Sequence, residues 1–240
     1  MPASFFDQQR WDIRCEWGAQ GVAQLAARSD AVIIVDVLSF ATCIDIAVGR
    51  GAIVYPYHVR DESAAAFAAA HSALLAGARD STHGYSLSPA SLRAIPAGTR
   101  LVLPSPNGAT LSLATGATPT FAGCLRNARA VAEAALRVGP RVSVIPAGER
   151  WPDGGLRPGL EDLLGAGAIV ARLPGSCSPE AETARAAFMA ARARLGEVLA
   201  ECGSGRELIG RSFAEDVALA AELDVSGVAP VLRDGSYVRH

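Results

Sequence analysis

The sequence predicts an α/β protein in three layers, α/β/α, with helices on both faces of a mixed, mainly parallel sheet. Short apolar runs rich in β-branched residues recur, the clearest being Ala31 to Val37 (AVIIVDV). A run of this kind, without polar alternation, is a strand buried on both faces. Helical periodicity fills the stretches between such runs, and alternation of strand and helix is the pattern of a layered sheet. At 240 residues and 50% hydrophobic, the chain is long enough to bury roughly 70–75% of its unfolded surface.

After the strand at 31–37, FATCIDIAVGRG changes to helical spacing, and Gly49 or Gly51 can end the helix. AIVYPY (52–57) is the next strand, and alanine-rich 61–76 a helix. Residues 77–96 form a polar loop. Strands follow at 100–103 and 119–122, a helix at 126–138 and a strand at 141–146. The last third is mostly helical, over 160–173, 179–200 and about 213–223. It closes on PVLRDGSYVRH, where Asp234-Gly235 between apolar runs marks a hairpin turn. A single domain over 1–240 is expected, since no linker marks a boundary. The alternative is two lobes, about 1–150 and 151–240, with the site between them.

The charge balance is near neutral: 22 basic residues, all arginine, against 24 acidic ones, for a net −2. No basic stripe or polybasic patch is present, which excludes nucleic acid and membrane surfaces as partners. The five cysteines are widely spaced without a C-x-x-C pair, so neither a disulfide framework nor a zinc site is expected. The opening residues lack a signal-peptide pattern, and Asp36 and Asp45 interrupt the longest apolar stretch. A cytoplasmic protein is expected. The apolar residues of 179–200, Phe188, Met189 and Leu195, suit a core face by default, or a homodimer interface.

Ligands of open α/β sheets gather beyond the carboxyl ends of strands; three candidate places follow strands, and a fourth lies at a helix start. Asp36 ends the first apolar run, where a carboxylate holds a metal, acts as nucleophile or base, or caps the following helix. LPSPNGA (103–109) runs from a strand into a turn. Its amides, the Ser105 hydroxyl and the Asn107 side chain could surround an anion, although Asn-Gly after Pro is also ordinary turn chemistry. PAGER (146–150) brings Glu149 and Arg150 to a strand end, and Glu161-Asp162 follows. With Asp36 these carboxylates are a reservoir for a hard cation, while Glu161-Asp162 also complements a helix dipole. In CGSGREL (202–208), Ser204 and Arg206 could meet an oxyanion, or Ser204 is an N-cap with Glu207 as its capping-box partner. Gly165-Ala-Gly167 is rejected as a dinucleotide fingerprint because it lies inside a helix. The four histidines, His83 among them, show no ligand spacing. Cys43 reads as a small buried apolar residue.

Taken in order, VIIVDVLSFAT (32–42), LPSPNGA (103–109), AGCLRNARAVAEAA (122–135), VIPAGER with EDLLGAGAIV (144–150, 161–170), and SGREL with DVALAAELDVSGVAP (204–208, 216–230) resemble the 2-phosphosulfolactate phosphatase family. The resemblance implies an α/β/α magnesium-dependent phosphatase. Its family reaction converts 2-phospho-3-sulfolactate to 3-sulfolactate and phosphate, a step towards coenzyme M. It also implies Asp36 and Glu149 at a Mg²⁺ centre, with Glu161 or Asp162 assisting. Ser105, Asn107, Gly108 and Asn127 would line the phosphate pocket, with Ser204 beside the substrate, and Arg206 and Arg150 would neutralise its anionic groups. Two departures stand out: Ser39 where many members carry arginine, and Ala109 where threonine is common. They motivate two alternatives, a non-catalytic anion-binding protein of the same fold and a phosphatase for another phospho-acid or sugar phosphate.

Overall fold

The computed structural model describes residues 5–81 and 84–240, so His83 lies outside the described residues. The chain opens with two elements that carry little sequence signal, β1 (Ile13–Cys15) and α1 (Gly18–Leu25). The expected alternation follows as β2 (Ala31–Val35), α2 (Phe40–Gly49), β3 (Ile53–Tyr57), α3 (Glu62–Ala70) and β4 (Leu74–Leu75). Next come β5 (Arg100–Pro104), α4 (Gly108–Ala114), β6 (Thr120–Gly123), α5 (Ala128–Val138) and β7 (Val142–Pro146). A short ribbon, β8 (Glu149–Arg150) and β9 (Leu156–Arg157), leads into α6 (Leu160–Val170). Helices α7 (Pro179–Ala191), α8 (Leu195–Glu201), α9 (Gly203–Gly210) and α10 (Ala214–Ala220) precede the closing hairpin β10 (Pro230–Arg233) and β11 (Ser236–Arg239).

Nine strands form one sheet in the order β1-β7-β2-β6-β10-β11-β3-β5-β4. The pairings are parallel within β1-β7-β2-β6 and within β3-β5-β4, and antiparallel only where the hairpin joins the two blocks. The sheet is therefore mixed and mostly parallel. Each seam with the hairpin is a single residue pair, Val231 with Phe121 and Tyr237 with Val54. Strands from both halves of the chain thus share one sheet, which crosses the boundary near residue 150.

The layers follow from strand alternation. Ala31, Ile33 and Val35 of β2 enter the large core with α2, α5 and α6. Val32 and Ile34 point to the other face, against Val22 and Leu25 of α1 and Leu111 of α4. A side chain on either face is lost to solvent, which is why the run shows no polar alternation. Helices α6 and α7 pack closely because Gly167 leaves no side chain between them: a Cβ there would lie 2.0 Å from the Ala184 carbonyl oxygen. Phe188 and Leu195 are core residues, whereas Met189 is exposed.

Several boundaries differ from the sequence expectation. The first strand ends at Val35, and the helix expected over 61–76 stops at Ala70, leaving Leu74–Leu75 to pair with β5. The expected 179–200 helix breaks into α7, a 3₁₀ turn over Arg192–Arg194 and α8. The hairpin turn is as expected, with Asp234 and Gly235 both at positive φ.

Candidate active site

Asp36 directly follows β2, and β5 runs into the turn that opens α4, so two parallel-strand ends supply the site. Asp36 is buried with both oxygens engaged. Oδ1 accepts from the Phe40 amide (3.0 Å), at the start of α2, and Oδ2 from the Gly108 amide (3.0 Å), at the start of α4. The capping and site readings of Asp36 therefore coexist, since each oxygen keeps a second acceptor position. Gly108 is required by this approach: a Cβ there would stand 2.6 Å from Asp36 Oδ2 and 2.4 Å from Phe40 Cδ1.

Asp36 opens onto a cleft of about 210 Å³ that also presents Ser105, Asn107, Glu149 and Ser204. The Asn107 amide donates to Glu149 Oε2 (2.8 Å), linking the β5 turn to the β8–β9 ribbon. The Ser105 amide is spent on the Tyr57 carbonyl (2.8 Å), and its buried hydroxyl faces the cleft. Burial pushes the Asp36 carboxyl up to about 6, with Glu161 adding to the rise and Arg79 opposing it. Glu149 is pushed to about 7 by burial and by the charges of Asp36 and Glu161, against Arg157.

The other predicted residues sort differently. Asp162 is buried, and its oxygens accept from the amides of Val37 (2.7 Å) and Gly148 (2.8 Å), tying the loop after β2 to the loop after β7. Burial and the neighbouring charges of Asp36 and Glu161 raise its pKa well above the carboxylate range. Glu161 is buried beside the Cys202 thiol (3.5 Å). Neither residue lines the cleft. Asn127 is fully buried and bonds to Cys124 and Ala122, holding the β6–α5 turn rather than a ligand. Arg150 is exposed on the ribbon, against the Gly154 carbonyl.

Arg206 is exposed and outside the cleft, and helical phase is the reason. Helix α9 lines the cleft with Ser204, Glu207, Leu208 and Arg211, an i, i+3, i+4, i+7 set. Residue 206 falls off that stripe. The N-cap is Cys202, whose sulfur accepts from the Gly205 amide (3.4 Å), so Ser204 is not the cap. Its hydroxyl accepts instead from Arg157 of β9 (2.9 Å).

Arginine reaches the site from places sequence reasoning did not mark. Arg79, in the long loop after β4, donates to the Ser39 hydroxyl (3.0 Å) and to Asp216 of α10 (2.7 Å). Asp216 is fixed in turn by the Ser88 hydroxyl and the Ala90 amide. A guanidinium thus stands beside Ser39, delivered from forty residues downstream. The one hint in the sequence was position 39 itself, a serine where many members of the resembled family carry arginine.

Magnesium is held by one or two carboxylates, retained waters and substrate phosphate, not by an all-protein cage. Asp36 and Glu149 offer hard oxygens in one cleft, under mutual repulsion that a cation would relieve. Among the described residues, no three His, Cys, Asp or Glu side chains gather into a cage. The site fits the two-carboxylate mode and not a four-carboxylate set. No helix of the described residues is long and apolar enough to cross a membrane.

A family model described as 2-phosphosulpholactate phosphatase matches residues 20–235. The chain is 32% identical over 222 residues, 88% of its length and 91% of the relative's, to a "Probable 2-phosphosulfolactate phosphatase" of Carboxydothermus hydrogenoformans. It is 34% identical over 138 residues, 58% of each chain, to a "2-phosphosulfolactate phosphatase" of Methanothermobacter thermautotrophicus. A match spanning nearly the whole chain, laid over strand-end residues that converge on one cleft, shows that the chain belongs to the 2-phosphosulfolactate phosphatase family.

Proposed function

We propose that the chain is a magnesium-dependent phosphatase for a small anionic phosphate ester, converting 2-phospho-3-sulfolactate to 3-sulfolactate and phosphate. The observation that carries the reading is Asp36, a buried carboxylate locked by two helix-start amides and facing the same cleft as Glu149. Asp36 already holds two helix starts, but a second raised carboxyl, Glu149, in the same cleft favours a cation or a reaction that uses the pair.

Asp36 and Glu149 would hold the ion, with Asn107 fixing the orientation of Glu149. A bound magnesium ion would draw charge from the phosphoryl oxygens and place them for in-line displacement. The Ser105 hydroxyl and the second N–H of the Asn107 amide are the neutral donors left for those oxygens. In the metal-free cleft Glu149 stands near 7, so binding of the ion would displace a proton from it near neutral pH. Arg157 and Arg79 offset the negative charge that gathers when the ester enters.

The non-catalytic alternative rested on two departures, Ser39 in place of arginine and Ala109 in place of threonine. Arg79 at the Ser39 hydroxyl supports turnover, because a guanidinium is present beside Asp36 after all. The test is phosphate release from a panel of phospho-acids and sugar phosphates. Turnover is expected on phosphosulfolactate, with loss on chelation by EDTA and a fall on the order of a hundredfold or more in Asp36→Asn. Turnover that survives EDTA removes the metal role, and a higher rate on sugar phosphates reassigns the substrate. A cytoplasmic enzyme, a homodimer and a place on the way to coenzyme M go with this reading, the first two checked by fractionation and sedimentation.

A further inference from the structure

The cleft at Asp36 does not end at Ser105. It continues into a larger cavity of about 540 Å³ that shares Arg79, Leu87, Ser105, Pro106 and Arg211 with it. The character of the walls changes along this path. The inner end carries Asp36 and Glu149, with Glu207 beside Arg211, whereas the outer cavity carries Arg60, Arg79, Arg211 and His58 with Asp80.

Arg79 and Arg211 are built into place. Both guanidiniums lie against the Phe213 ring, with carbon-to-centroid distances of 5.5 Å and 5.8 Å. Both also line the cleft and the outer cavity, so an anion held there can meet either guanidinium. The bonds of Arg79 to Asp216 and Ser39 engage two of the five N–H donors a guanidinium carries. Among the described residues the rest of its fork has no hydrogen-bond partner, and it can meet a planar or trigonal anion. Arg211 has a longer contact to Glu207, 3.5 Å, at an exposed position.

We propose that Arg79 and Arg211 are specificity-determining residues that bind a second anionic group of the substrate, a carboxylate or a sulfonate, while its phosphate lies at Asp36. The proposal deepens the phosphatase reading and rests on it for the orientation of the ester.

The experiment compares kcat/KM for isopropyl phosphate with that for the same skeleton carrying a carboxylate (2-phospholactate), a sulfonate (1-sulfo-2-propyl phosphate) or both (2-phospho-3-sulfolactate). The wild-type protein is expected to prefer the two-anion esters a hundredfold or more. In Arg211→Gln that preference should fall about tenfold or more, mainly through KM, and the arm that falls identifies the anion read. Arg79→Gln strands buried Asp216, so Arg79→Lys accompanies it, and circular dichroism checks folding of each variant. An undiminished preference in folded Arg211→Gln and Arg79→Lys overturns the proposal. Calorimetric binding of 3-sulfolactate and lactate, which carry no phosphate, separates the two readings. Binding that weakens tenfold in Arg211→Gln, with no phosphate released from any ester, keeps the subsite and sinks the phosphatase. Equal affinity of both proteins for both acids sinks the subsite.

Discussion

At Gly108 the backbone amide, not a side chain, does the work of holding Asp36, and the contact leaves no room for a methyl group. Gly108→Ala should displace either the carboxylate or the Phe40 ring. Phosphatase activity is expected to fall more than tenfold, and stability by about 1–3 kcal/mol, read from kinetics and urea melts. Ser39 teaches a related lesson about position. In sequence it is a lost arginine; in the fold its hydroxyl accepts from Arg79. No periodicity links residues 39 and 79, because the loop between β4 and β5 carries Arg79 by a path that only tertiary structure defines. By contrast Asp36, Ser105, Asn107 and Glu149 were legible, since each follows an apolar run that reads directly as a strand.

Among elements, α9 decides which of its residues belong to the site. Once its start is set at Gly203 by the Cys202 cap, Arg211 faces the cleft and Arg206 faces water. From sequence, Ser204 and Arg206 read as an oxyanion contact at a helix start, with a Ser204–Glu207 capping box as the alternative; the cap lies two residues earlier, at Cys202, and residue 206 turns away from the cleft. Elements α1 and β1 were missed for another reason: three residues are too few to show alternation, and α1 opens and continues on glycine. The loops after β2 and β7 depend on Asp162, which satisfies the amides of Val37 and Gly148. Asp162→Ala leaves two buried N–H groups without an acceptor, at about 1–3 kcal/mol each. A loss of several kcal/mol in denaturant unfolding is expected, together with reduced activity, because both loops carry site residues. If Asp162 were instead a metal ligand alone, Ala would cost activity and leave metal-free stability nearly unchanged.

For the whole molecule, the buried carboxyls set a pH dependence. Asp36 at about 6 and Glu149 at about 7 stand above ordinary carboxyl values of about 4 in the unfolded chain. The folded state therefore binds these protons more tightly, and the stability this provides is complete below about pH 4 and lost as pH rises towards 7. Metal-free protein should melt at lower temperature at pH 8 than at pH 5 as far as these groups decide it. Added magnesium should raise the melting temperature more at pH 8, where both carboxylates are charged. A magnesium effect of equal size at both values would separate the ion from Asp36 and Glu149. The layered architecture was legible because β2 and its neighbours are buried on both faces. The strand order was not, since nothing local in residues 230–239 says that Val231 and Tyr237 pair with residues 110 and 183 positions earlier.

Among the described residues, the hairpin Pro230–Arg239 joins the two parallel blocks of the sheet, with Val231 on β6 and Tyr237 on β3. During synthesis the two blocks therefore emerge long before the piece that joins them, and each has an open strand edge while it waits. A chain stopped at Ala229 retains every residue placed at Asp36's cleft, yet it should accumulate as aggregate and not as enzyme. Supplying the last eleven residues as a separate peptide would test whether the join can be made in trans.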